Sequence, residues 1–153
     1  MYGFKAIFDE NTEQMIKDNW KELKENSISF YAYEVEDRKP HITLASYIDL
    51  NKADFIKQMD VVYDYKPTID ITFNTIGSFL NSGALFFAPT VTNDLLEFHS
   101  NHHRNFEQFK DEPNSLYLPD NWIPHCTIAN RLYPDQLSKA FNYCSKRNNT
   151  IFG

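Results

Sequence analysis

At 153 residues the chain is the size of one domain, and 42% hydrophobic and 16% aromatic residues supply a packed core and exclude a disordered segment. No apolar run is long enough to span a bilayer, and the start, MYGFKAIFDENTEQ, lacks the basic and long apolar segments of a signal peptide. A net charge of −6 argues against a long electrostatic groove, so neither a DNA duplex nor a membrane is an expected partner; a small anionic ligand or the end of an RNA strand suits this charge better.

In chain order, YGFKAIF (2–8) reads as a strand. Asn11, with Gln14 three residues on, is a variant capping box, and Ile16, Trp20 and Leu23 at helical spacing predict a helix over 12–25. SISFYAYEV (27–35), rich in β-branched and aromatic residues, predicts a strand, and HITLASYI (41–48) another after the charged turn Glu36–Pro40. Leu50, Asn51 and Phe55 have the spacing of a hydrophobic staple around an N-cap, opening a helix with Phe55, Met59 and Val62 on one face.

TIDITFNTIGSF (68–79) alternates apolar and polar residues as a half-buried strand does, and Asn81, Ser82 and Gly83 turn the chain into the apolar strand ALFFAP (84–89). A helix is predicted from about Thr92 to about Lys110, with Leu95, His99, His102, Phe106 and Phe109 on one stripe. Asp111–Asp120 is a polar loop whose composition suits either a flap or an ordinary connection. IPHCTIANRL (123–132) is the next strand, and Pro134, favoured at the first helical position, opens the last helix.

Within this series lies a repeat. Pro40-His-Ile-Thr-Leu-Ala45 matches Pro124-His-Cys-Thr-Ile-Ala129 at four of six positions, about half the chain apart. Each half runs strand, helix, His-x-Thr strand, helix, which predicts a single domain over 1–153 made of two pseudo-symmetric lobes. The strand 68–79 then lacks a counterpart before the last residue, Gly153, so the second lobe is expected either to miss its final strand or to close differently.

Side chains alternate faces along a strand, so His41 and Thr43 share one face with Ile42 and Leu44 opposite, and His125 and Thr127 share one with Cys126 and Ile128 opposite. Cys126 is therefore expected to face the core and not to act as a nucleophile. Two imidazoles and two hydroxyls suit hydrolysis of a phosphodiester. Attack by water needs a base on the entering side and an acid on the leaving side, and histidine near neutrality can serve as either. Threonine hydroxyls can donate to the non-bridging oxygens. No metal or other cofactor is called for. Each motif alone is weak, and the repeat of flanks and context is what points to function. The competing reading is a structural duplication in which each His is satisfied by its neighbouring Thr.

At these residues the chain resembles the two-histidine (2H) phosphoesterase superfamily, particularly the branch named for 2′-5′ RNA ligase or cyclic phosphodiesterase. That family is defined by two His-x-Ser/Thr-hydrophobic motifs, present here as His41-Ile-Thr43-Leu and His125-Cys-Thr127-Ile. The ends of the opening strand at Phe8-Asp9, Ile76-Gly77-Ser78-Phe79 and Trp122-Ile-Pro124 also read like that family. The resemblance implies an α+β, duplicated bilobal fold, with two antiparallel sheets flanking a central cleft, helices outside and pseudo-two-fold symmetry. It implies action on 2′,3′-cyclic phosphates or 2′-5′ linkages of nucleotides or RNA ends, as hydrolase or, in reverse, ligase. His41 is then the acid for the leaving ribose oxygen, His125 the base for water, and Thr43 and Thr127 hold the phosphate. Arg131 follows the second motif, where some relatives carry a basic residue.

Phe79, beside Gly77, is the aromatic best placed to stack on a base, and Lys39, like Arg38, precedes His41 where it can attract an anion. A non-catalytic protein that binds a nucleotide or RNA end is the alternative. His99, His102 and His103 can also be read as metal ligands one helical turn apart, but no carboxylate or cysteine stands at matching spacing, so structural, buried histidines are expected. Cys126 and Cys144 lack metal-ligand spacing too, and fit a reducing, cytoplasmic setting.

Overall fold

Among the described residues four α-helices and two antiparallel sheets build a mixed α+β fold. The computed structural model describes residues 1–111, 115–147 and 149–153, excluding the side chains of Lys110 and Asp111. In chain order the elements are β1 (Tyr2–Ile7), α1 (Glu10–Glu25), a 3-10 turn (Tyr31–Tyr33), β2 (His41–Asp49), α2 (Lys52–Tyr63), β3 (Thr72–Gly77), β4 (Leu85–Pro89), α3 (Asn93–Asn105), β5 (Lys110–Asp111), β6 (Cys126–Ala129), α4 (Pro134–Arg147) and β7 (Ile151–Phe152). They fall into two compact units. The first holds Met1–Ala6, Thr43–Asp70 and Val91–Pro124; the second holds Ile7–Ile42, Ile71–Thr90 and His125–Gly153.

The first unit carries the sheet β1-β2-β5. Its core is Ala45, Tyr47, Phe106 and Phe109, packed by Phe4, Leu50, Phe55, Met59, Val62 and Tyr63, so the apolar face predicted for α2 is the face it buries. Asn51 caps α2 as expected, its side chain accepting from the Asp54 amide at 3.2 Å. Thr92 caps α3 the same way, accepting from Leu95 at 3.1 Å. α3 stops at Asn105, short of the predicted Lys110. The Asn105 carbonyl accepts from the Gln58 side chain at 2.8 Å, and the chain then turns to bring Phe106 and Phe109 into the core. Of the loop Asp111–Asp120, residues 112–114 lie outside the described residues, and 116–120 form turns.

The second unit carries the four-stranded sheet β6-β4-β3-β7. Antiparallel pairing sets Phe86 opposite Thr127, Phe87 opposite Cys126, and Gly77 opposite Phe86. β7, a short strand that the sequence pattern did not reveal, pairs Ile151 with Phe73 and Phe152 with Thr72. On the apolar side Cys126, Ile128, Leu85 and Phe87 are buried, as are Asn19 of α1 and Cys144 of α4, whose thiol donates to the Asn19 side chain at 3.4 Å.

Three local expectations for this unit need correction. α1 begins at Glu10 after Asp9, not at an Asn11 cap, and the Glu13 amide bonds the Asp9 carbonyl at 2.9 Å; the earlier start brings the fully buried Thr12 into the first turn. Residues 27–35 form no strand. The amides of Ile28 and Ser29 turn back onto the Leu23 carbonyl, and the Tyr31 amide donates to the Ser29 hydroxyl at 3.3 Å, so local hydrogen bonds take groups a ladder would need. The second motif strand is shorter than 123–132. Pro124 cannot donate to a ladder, and beyond Ala129 the chain turns at Arg131, with φ 54°, before Leu132 donates to the Gly83 carbonyl at 3.1 Å.

Candidate active site

The first motif heads β2. His41 and Thr43 are half-buried while Ile42 and Leu44 are each 1% exposed, the alternation expected of a strand with one face in the core. The Nδ1 of His41 lies 2.8 Å from the Lys39 carbonyl oxygen. A carbonyl only accepts, so Nδ1 carries the hydrogen, and in the neutral ring the lone pair sits on Nε2. What Lys39 brings to His41 is thus its backbone oxygen; its side chain is exposed. Thr43 falls in the first unit, where Trp122 donates from Nε1 to its carbonyl at 3.0 Å.

The second motif lies in the same unit as His41. His125 immediately precedes β6, and it and Thr127 are half-buried while Cys126 is fully buried. The Cys126 thiol hydrogen-bonds the backbone of His41, which brings the heads of the two motifs together. Burial pushes that thiol up to about 12, with the bond from His41 acting the other way. A thiol so held is not a nucleophile at neutral pH.

Two aromatic rings flank His125. Phe79 stands edge-on to it, ring centroids 4.9 Å apart at 85°, and Phe86 lies at 5.2 Å. The two phenylalanines pack on each other at 4.7 Å. Phe86 reaches this place because it is paired with Thr127, and partners across a ladder share a face. Gly77 makes room on the other side, since an added Cβ there would lie 2.8 Å from the Phe86 ring. Sequence reasoning found Phe79 but not Phe86, because only the β4–β6 register shows which apolar residue of ALFFAP stands beside the histidine.

The remaining charged candidates are engaged with protein groups. Arg131 is ion-paired with Glu34. Arg38 lies over the Tyr31 ring at 3.9 Å, with its Nε buried and without a hydrogen-bond partner.

In the first unit His99 and His102 are buried, at 2% and 0% exposure. His102 is stacked on Phe4 at 4.0 Å, with the Tyr47 hydroxyl 2.7 Å from Nε2 and the Tyr63 hydroxyl 2.6 Å from Nδ1. His99 donates from Nε2 to the carbonyls of Tyr117 and Leu44, at 2.6 and 3.1 Å, and His103 donates to Leu44 at 2.9 Å. Burial, followed by the neighbouring His103, lowers His99 to about 4 and His102 to about 3. Buried histidines bonded within the unit are what the sequence led us to expect.

Paired His-x-Thr strands in an α+β fold with two antiparallel sheets are the defining arrangement of two-histidine phosphoesterases. A family model described as the 2′-5′ RNA ligase superfamily matches residues 12–151, and the chain belongs to that superfamily, itself part of the 2H phosphoesterases. It is a superfamily of phosphoesterases and ligases. No curated protein matches the chain. Among the described residues no helix is long and apolar enough to cross a membrane.

Proposed function

We propose that this protein hydrolyses a phosphodiester without a metal, the substrate being a 2′,3′-cyclic phosphate or a 2′-5′ linkage on a nucleotide or RNA end. The observation that carries the reading is the tethering of His41: its Nδ1–H is held by the Lys39 carbonyl, while its backbone is bonded to the residue next to His125. A carbonyl oxygen against Nδ1–H shares the charge of an imidazolium and presents Nε2 as the proton donor, which fits the acid role for His41.

His125 then takes the proton from the attacking water. The new P–O bond forms as the bond to the ribose oxygen breaks, and that oxygen takes the proton from His41, leaving a phosphomonoester. The hydroxyls of Thr43 and Thr127 donate to the non-bridging oxygens. Phe79, half-buried against His125, offers its outer face to a base. Lys39 adds an exposed positive charge, and Arg131 adds less because Glu34 shares it. Two buried free thiols fit a reducing, cytoplasmic setting.

The test is turnover of a 2′,3′-cyclic nucleotide in EDTA. His41→Ala and His125→Ala should each lower kcat by about 10²–10⁴-fold while circular dichroism and Tm stay near wild type. Activity abolished by EDTA, or retained in both variants, would overturn the mechanism. Tight binding of RNA ending in a cyclic phosphate, with no cleavage, would favour a non-catalytic nucleotide- or RNA-end-binding protein.

A further inference from the structure

The protein has two tryptophans, and both donate to the same kind of atom. Trp20 Nε1 donates to the carbonyl oxygen of Thr127 at 3.3 Å, and Trp122 Nε1 donates to the carbonyl oxygen of Thr43 at 3.0 Å. One pair lies within each unit. The tryptophans are unrelated in context: Trp20 is on α1 and Trp122 is in the loop before the second motif. Packing alone does not explain two indole N–H groups ending on the carbonyls of the two motif threonines.

The strand positions supply a reason. Among the described residues β6 is the outer strand of its sheet, beside β4, and on β2, which lies between β1 and β5, the β5 side is paired at Tyr47 and Asp49, beyond Thr43. Strand carbonyls without a neighbouring amide need another donor. A donor on a rigid ring fixes the peptide plane that follows each threonine, and with it the direction of the threonine Cα–Cβ bond.

Each indole is itself braced by a second ring. Trp122 is stacked flat on His99, centroids 3.8 Å apart at 5°, and Trp20 stands edge-on to Tyr31 at 5.9 Å. Tyr31 in turn lies under the Arg38 guanidinium.

We propose that Trp20 and Trp122 are positioning residues for the phosphodiesterase site, each aiming one motif threonine at the phosphate through an indole N–H bond to that threonine's carbonyl. This rests on the proposed function, in which those hydroxyls bind the non-bridging oxygens. Neither tryptophan touches substrate. A displacement near 1 Å at such a site costs up to about 100-fold, so loss of one brace should cost about tenfold in kcat.

The experiment compares Trp20→Phe and Trp122→Phe with variants in which each indole is replaced by its benzothiophene isostere, which keeps the ring volume and lacks the N–H. Two readouts are followed: kcat and KM on adenosine 2′,3′-cyclic monophosphate, and the Kd of inorganic phosphate by titration calorimetry. The expected result is about a tenfold loss in kcat or in phosphate affinity, in the isosteres as in the phenylalanine variants, with Tm preserved in the isosteres. Trp20→Phe should add little in a Thr127→Val background, and Trp122→Phe little in Thr43→Val, because each pair acts as one unit. Wild-type kcat and phosphate affinity in the isosteres, or losses that multiply in the double variants, would overturn the proposal. If the wild type turns over no cyclic nucleotide, the enzymatic reading fails and the phosphate titration decides the inference; no phosphate binding either would end both.

Discussion

His102 lies fully buried against Phe4, with a tyrosine hydroxyl at each nitrogen, whereas His41 and His125 stand half-buried at the heads of β2 and β6. Desolvation holds His99 and His102 neutral, so in the first unit imidazole serves as a fixed donor and acceptor. A ring that must gain and lose a proton in every turnover cannot be placed there. The α3 histidines bond backbone carbonyls and tyrosine hydroxyls; the motif histidines are tethered from behind, one by a carbonyl and one by two phenyl rings. Under the proposed function, burial depth is what separates the structural histidines of α3 from the catalytic pair.

Acid is the strongest test of that contrast after loss of the motif histidines themselves. His99 and His102 have folded values of about 4 and 3, below the unfolded 6.5, so the unfolded chain binds more protons between those values. The stability they contribute is complete above pH 6.5 and is lost as pH falls towards 4 and then 3, by an amount on the order of several kcal/mol for the two together. Urea unfolding followed from pH 7 to pH 4 should show this fall, and it should shrink when His102 is replaced. A flat profile would mean that these rings are not held neutral by burial.

His102→Leu comes next in size. It takes from the buried Tyr47 hydroxyl and the half-buried Tyr63 hydroxyl the ring nitrogens they bond, a cost of about 2 kcal/mol in unfolding free energy. Activity per folded molecule should stay near wild type. A loss of kcat comparable to that of His41→Ala would erase the distinction between the two sets.

The smallest effect sharpens the account of His125. In Gly77→Ala the new methyl meets the Phe86 ring, which must shift and carry His125 with it. Turnover of a cyclic nucleotide should fall by roughly threefold to tenfold, with Tm lower by only a few degrees. Unchanged turnover would show that Phe86 does not set the imidazole's position.

The motifs, their strand context and the direction of Cys126 were legible in the sequence because a strand's period of two is local: once the two motifs run along extended chain, the burial of Ile42 and Cys126 follows. The helices α2 and α4 and the cap Asn51 were legible because helical spacing and capping are local too. Residues 27–35 misled because strand propensity counts only where a neighbouring strand offers a ladder, and there local turns took the amides.

Only the tertiary structure decided which residues surround the histidines. The Phe86 ring on His125 and the tryptophan N–H bonds to the two threonine carbonyls depend on register and on packing between elements distant in the chain, while the Lys39 carbonyl reaches His41 from two residues back through a local backbone shape that residue types do not spell out. A linear pattern records the face each residue takes. The partner on that face is chosen by long-range contacts, and those contacts determine where the chemistry of this site can occur.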